Sequence, residues 1–165
     1  MEDASTREKR LLDFDTFYRR NFQAVAAIGY ALSGSASVAE ELAQEAFMAA
    51  FVKWDEVAVM ERPDSWVKRV VANKAASRVR RIKTEVKAAA RLRGRNELRS
   101  LPDDAVVAWD LVRRLPRRQA QAIALRYIGD LPIGEIAQLI GCAPETVRTH
   151  LRRGRERLAN SKELE

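Results

Sequence analysis

PIGEIAQLIGCAPETVRTHLRRGRERL, residues 132–158, decides how this chain is read. Ile133, Ile136, Ala137 and Ile140 recur at helical spacing and form one apolar stripe. Gly141 suits the left-handed conformation that ends a helix and turns the chain. Pro144 suits the first turn of the next helix, where its missing N–H costs nothing. Val147, Leu151 and Leu158 then carry the apolar face onward. Against them stand Arg148, Arg152, Arg153, Arg155 and Arg157, five arginines and one acid (Glu156) in ten residues. Two helices across a sharp turn, the second cationic on its outer face, predict a helix-turn-helix whose second helix enters a DNA groove. Arginine neutralises phosphates and bonds guanine through two N–H groups, and threonine suits smaller contacts. The competing reading of the same residues is an amphipathic surface helix with a solvated basic face.

Working outward, the charge balance favours a polyanionic partner. The chain has 165 residues, net charge +7 and a pI near 10.0. Residues 36–61 hold six acids and the single base Lys53, whereas residues 62–95 hold twelve bases and two acids. A basic protein with one acidic stretch predicts two different partners. One cysteine, Cys142, excludes an internal disulfide and a cysteine-rich zinc site. One histidine, His150, leaves no histidine cluster or triad. No catalytic residue, metal or cofactor is therefore expected, and an enzyme is the weakest reading. No apolar run approaches the ~20 residues that span a bilayer, and MEDASTREKR at the N-terminus lacks a signal-peptide core. A soluble cytoplasmic protein without a membrane partner is expected.

The rest of the chain reads as helices. Phe14, Phe17, Tyr18, Phe22, Val25, Ile28 and Leu32 place a helix over 13–32, broken at Ser33-Gly34-Ser35. Ser37 with Glu40 is the expected capping box of a second helix running to Trp54. A loop from Asp55 to Pro63 precedes a third helix that begins near Asp64 and ends in Arg78-Val79-Arg80-Arg81. Its residue Trp66, flanked by Val67 and Val70, fits a core position better than a stacking one. Residues 84–103 are charged, poor in large apolar side chains and read as a linker. Val106, Val107, Trp109, Leu111, Val112 and Leu115 then share one helix, and Ala120, Ile123, Ala124 and Tyr127 the next. The expectation is an all-α chain of two small helical domains joined by a flexible linker.

In this order the pieces resemble bacterial sigma factors of the extracytoplasmic-function group of the sigma-70 family, over residues 9–160. Residues 38–47, VAEELAQEAF, are similar to the region 2.2 signature, and residues 62–73, RPDSWVKRVVAN, to region 2.3. Leu115-Pro116, Leu125-Arg126-Tyr127, Glu135-Ile136-Ala137 and Thr146-Val147-Arg148 match region 4. The resemblance implies region 2 over 9–83, a linker over 84–103 and region 4 over 104–160.

It also implies roles. Glu41, Gln44, Glu45 and Phe47 would face the clamp helices of the RNA polymerase β′ subunit, with Leu42 in the core. Asn73 would meet a flipped base of the −10 element, and Lys68, Lys74, Arg78, Arg80 and Arg81 the phosphates of the melted strand. Thr149, Arg152 and Arg153 would contact bases of the −35 element, with Arg126 and Arg148 near its backbone. Core polymerase (β′ clamp helices and β flap), promoter DNA and an anti-sigma factor are the implied partners. Three residues depart from the family pattern: Pro132 and Ala143 stand where polar caps are usual, and Ala120 where an arginine is common. The alternative is a helix-turn-helix regulator that binds DNA without polymerase.

Overall fold

A computed structural model describes residues 3–86, 112 and 114–162, and every regular element among these is helical. The order is α1 (Ala4–Ser33), α2 (Ala36–Val52), α3 (Trp54–Val57) and α4 (Pro63–Val86). After α5 (Arg117–Ile123) comes a π-helical segment (Ala124–Ile128). The helix-turn-helix follows as α6 (Ile133–Ile140) and α7 (Pro144–Lys162).

α1, α2 and α4 pack against one another as an N-terminal bundle. Val25, Ile28, Leu42, Ala46, Val67, Val71 and Ala75 fill it. At one end, Phe14, Phe17, Tyr18 and Phe22 of α1 surround Phe47 of α2 with ring centroids 4.9–6.5 Å apart. Aromatic pairs in this range add stability beyond the area they bury. Phe47 is 2% exposed, so the polymerase-facing position expected for it is corrected: it is the hub of the aromatic core. The rings that enclose it come from α1, so spacing along α2 does not reveal them.

Several boundaries differ from expectation. α1 begins at Ala4, nine residues before the apolar pattern does, because a polar extension continues a helix already nucleated by packing. Ser35, not Ser37, caps α2, accepting the Val38 N–H at 3.3 Å, and Ser37 lies exposed inside the helix. The segment after α2 is not simply a loop: Trp54–Val57 forms one helical turn that buries Trp54 and Val57. Trp66 is half-buried against the core, as its apolar neighbours suggested. Residues 84–86 close α4, and the rest of the expected linker and most of the helix expected after it lie outside the described residues.

Two glycines set helix spacing. Gly29 of α1 lies where an added Cβ would sit 3.2 Å from the Cα of Ala39, so α1 and α2 cross at backbone contact. Gly154 of α7 makes room instead for a side chain: an added Cβ would lie 2.9 Å from Cγ1 of Ile123 on α5.

The C-terminal helices form a second group in which α5 and α6 pack on α7. Its core is Ala122, Ile123, Leu125, Leu131, Ile136, Ile140, Val147 and Leu151. The two groups touch: α1 packs on α5 and the π-helical segment, and α4 on α6. Their buried residues form one continuous apolar cluster, so each small core gains area from the other.

Candidate nucleic-acid interface

The helix-turn-helix is built as its sequence predicts. Gly141 ends α6 at φ 72°, the left-handed region, and its N–H bonds to Ala137 O at 2.9 Å. Neither Pro132 nor Ala143 supplies a side-chain cap to the helix that follows it. Backbone carbonyls do part of that work: Ala143 O accepts from Thr146 N and Val147 N at 3.0 and 3.2 Å. Arg118 of α5 reaches across to donate to Ile140 O at 2.7 Å. That places a cation on the orphan carbonyls at the C-terminal end of α6 and braces the turn.

The outer face of α7 is open. Arg148, Arg152 and Arg153 are exposed and Thr149 is half-exposed, while Val147 and Leu151 are buried on the opposite side. Arg148, Thr149, Arg152 and Arg155 line a cleft of about 540 Å³ together with Arg126 and Tyr127 of the π-helical segment. Thr149 Oγ1 donates to Glu145 O at 3.1 Å, one turn back. Arg148 is paired with Glu145, and Arg152 with Glu156 at 2.9 Å. Arg126 donates to Leu131 O at 3.1 Å, which orients it beside the motif.

Tyr127 was expected in the apolar stripe and is instead 55% exposed, its hydroxyl accepting from Arg155 at 3.1 Å. The π-helical segment explains this. One extra residue per turn shifts the register and turns Tyr127 outward. The left-handed residue after it is Asp130, φ 53°, not Gly129. Gly129 is required sterically, since a Cβ there would lie 2.7 Å from Leu125 O.

On the N-terminal bundle, α4 presents Asn73, Arg80 and Arg81 exposed and Lys74 and Arg78 half-exposed, above buried Val71, Ala72, Ala75 and Ala76. Lys68 is placed differently. It is 9% exposed, and its ammonium lies 3.3 Å from Asp64 one turn earlier. Burial raises the pKa of the Asp64 carboxyl, but hydrogen bonds from Arg62 and Lys68 outweigh it and hold the group below its ordinary value. The same pair with Asp64, and a second with Asp130, raises the Arg62 guanidinium.

The acidic face of α2 lies alongside. Glu41 and Gln44 are exposed, Glu45 is half-exposed and Leu42 is buried, as expected for it. Glu45 and Glu41 pair with Lys74 and Arg78 of α4.

A cleft of about 560 Å³, which no pattern along the chain predicts, lies between the two groups of helices. Arg69, Asn73 and Arg80 of α4 line one wall, and Leu131, Glu135, Gln138 and Leu139 the other. Arg69 spans it with two bonds to Glu135, at 3.0 and 2.9 Å. Arg62 reaches Asp130 at 3.1 Å beside it. Helical spacing alone put Arg69 one turn before Asn73 on one face, and that was the available signal.

Among the described residues no group of three or more His, Cys, Asp or Glu is placed to hold a metal ion, and no helix is long and apolar enough to cross a membrane. His150 is half-buried on α7 with Nδ1 unpartnered. Burial, then the charges of Arg118 and Arg153, lower its pKa below the ordinary histidine value. Cys142 is a half-buried free thiol in the turn.

Comparison with known proteins finds matches over both groups of helices. The sigma-70 region 2 family model matches residues 17–85, and the sigma-70 region 4 model residues 106–158. The ECF RNA polymerase sigma factor SigW of Bacillus subtilis (strain 168) is 31% identical over 145 residues, covering 78% of each protein. In fold the chain is similar to the sigma factor RpoE of Bartonella quintana, solved in complex with the anti-sigma factor NepR. The TM-score is 0.59 at 23% identity, over 93% of this chain and 98% of that one.

Proposed function

The chain belongs to the extracytoplasmic-function group of the sigma-70 family, sigma factors of transcription initiation, and from that premise we propose how its faces divide the work. Glu41, Gln44 and Glu45 on the open edge of α2 dock on the basic clamp helices of the polymerase β′ subunit. Complementary charge there steers association and fixes register. α7 enters the major groove of the −35 element, with Thr149, Arg152 and Arg153 toward bases and Arg126 and Arg148 toward phosphates. α4 takes the melted −10 strand. Lys74, Arg78, Arg80 and Arg81 track its backbone, and the amide of Asn73, both donor and acceptor, reads the edge of a flipped base.

Lys68 has a different part. Buried and held by Asp64, it fixes the start of α4 rather than a phosphate. The observation that carries the reading is the pairing of two solvent-facing cationic rows, on α4 and α7, each seated on a buried apolar face and each in its own helical group. Two such modules bind weakly alone. Fixed on one polymerase they act at high effective concentration on a single DNA. The nucleotidyl transfer belongs to the polymerase.

Asn73 is exposed on α4 and lines one wall of the cleft bounded by α6, so parting of the two groups of helices would widen a base's approach to it. The Arg69–Glu135 and Arg62–Asp130 pairs across it are solvent-exposed, and such pairs are individually weak. Contact with polymerase would replace what is lost when the groups of helices part. An anti-sigma protein, the kind of partner bound by the Bartonella quintana relative, would act by holding them together or by covering α2.

The decisive substitution is Asn73→Ala. It is expected to reduce promoter opening, read by permanganate reactivity of unpaired thymines, while capture of core polymerase stays at the wild-type level. Unchanged opening would remove Asn73 from the base pocket. A regulator acting without polymerase would instead bind its DNA site with equal affinity in the presence and absence of core enzyme.

A further inference from the structure

Two residues assigned to polymerase and two assigned to DNA are, in the free protein, each other's partners. Glu45 Oε2 lies 3.4 Å from Lys74 Nζ. One turn away on both helices, Glu41 Oε2 lies 3.1 Å from Arg78 NH1. Moving from 41 to 45 on α2 moves from 78 to 74 on α4, so the two pairs are successive rungs between antiparallel helices. They border a groove of about 330 Å³ lined also by Leu42, Asn73, Ser77 and Arg81.

These rungs do not hold the bundle together. Leu42, Ala43, Ala46, Val71 and Ala75 already fill the α2–α4 contact and are fully or almost fully buried. The four charged side chains lie outside that seam, between 29% and 55% exposed. Pairs of this exposure break at low cost. Their effect is on charge: two carboxylates cancel two of the cations on the face of α4 that a phosphate would approach.

We propose that the two rungs couple the polymerase face to the DNA face by exchange of partners. A basic surface that takes Glu41 and Glu45 withdraws the carboxylates from Arg78 and Lys74. Those cations then face the groove unneutralised and are available to the backbone of a single strand. Binding on α2 raises affinity on α4, and by thermodynamic linkage a strand held on α4 raises the affinity of α2 for the basic surface by the same factor. The free chain accordingly holds single strands weakly until polymerase is present. The proposal rests on the docking role assigned to Glu41 and Glu45 above.

The test uses the full chain without polymerase, so that it is independent of whether docking occurs. The probe is a short fluorescent oligothymidylate, titrated by anisotropy at one fixed ionic strength. Glu41→Gln/Glu45→Gln leaves both cations without their carboxylates and is expected to bind about threefold tighter than wild type, the free energy of an exposed pair released twice. Glu8→Gln/Glu40→Gln makes the same change in net charge at exposed acids outside the rungs and is expected to gain well under half of that. In a Lys74→Gln/Arg78→Gln background the rung substitutions are expected to gain nothing, which isolates the pair interaction. Equal gains from the two acid variants would reduce the effect to net charge and overturn the proposal, as would no gain at all. Glutamine keeps helix propensity at these positions. If the double variant melts early, Glu45→Gln read against Lys74→Gln carries the same comparison. A wrong docking assignment has a separate signature: Glu41→Gln/Glu45→Gln would retain wild-type capture of core polymerase while the oligothymidylate result stood.

Discussion

Replacing Arg152 by alanine tests the reading of α7 most finely. Its guanidinium is exposed on the outer face, 2.9 Å from Glu156 one turn on. A two-bond contact from arginine to a base contributes about 1–3 kcal/mol of discrimination. To make it, Arg152 must leave Glu156, and an exposed pair at this helical spacing offsets about 0.3–0.5 kcal/mol of that gain. The net loss expected for Arg152→Ala is therefore about 0.5–2.5 kcal/mol, roughly twofold to seventyfold in affinity. The same reasoning fixes the sign for the partner: Glu156→Gln frees Arg152 in advance and is expected to tighten binding about twofold. The assay is holoenzyme binding to a labelled promoter duplex and to duplexes changed at single −35 positions, over a salt series. Arg152→Ala is expected to flatten the preference at one base pair. A uniform loss on all duplexes, with the logarithmic salt slope shallower by about one, would make Arg152 a phosphate contact instead. Weaker binding by Glu156→Gln would refute the competition between Glu156 and DNA.

Four further outcomes follow from particular contacts. Gly29→Val drives a branched side chain into the Ala39 backbone, which an added Cβ alone would approach to 3.2 Å; overpacking of this kind costs about 1–3 kcal/mol, read as a lower denaturant midpoint. Leu151→Ala empties a buried site between α7 and the rest of its group, and a loss of about 2–5 kcal/mol is expected in the same experiment. His150 has a lowered pKa in the folded chain, so the unfolded chain binds the extra proton first and stability falls as pH drops below the ordinary histidine value of 6.5; His150→Gln is expected to flatten that slope in urea melts between neutral and mildly acid pH. Glu135→Arg sets a second cation against Arg69 across the cleft and is expected to raise the radius of gyration measured by small-angle scattering, and an unchanged radius would show that the ion pair does not hold the two groups of helices together.

Local patterns carried the sequence reading a long way, and its misses are non-local. Gly141, Pro144 and the stripe from Ile133 to Leu151 fix the helix-turn-helix from spacing alone, and the structure returns it with Gly141 left-handed. The basic face of α4 and acidic edge of α2 were legible for the same reason, since a helix maps spacing onto faces. Phe47 was misplaced because its burial depends on four rings from another helix. Spacing along the chain says nothing of Gly29 and Gly154, and only the partner helices at Ala39 and Ile123 show why no side chain fits. Tyr127 turned outward because a π-helical turn shifted its register, which a fixed 3.6-residue period does not anticipate. The Arg62–Asp130 and Arg69–Glu135 pairs join residues 68 and 66 positions apart, and charge patterning along the chain gives no sign of them.

Reconstituted transcription reads the function of the chain itself. Purified bacterial core polymerase, supplied with fragmented genomic DNA from the same cell, is assayed with and without the chain, and the 5′ ends of the transcripts are mapped. The expected result is a set of starts that require the chain and share two upstream elements at fixed spacing, lost with Asn73→Ala at the opening step and with Arg152→Ala at the upstream element. Starts that are the same in number and position without the chain would contradict it.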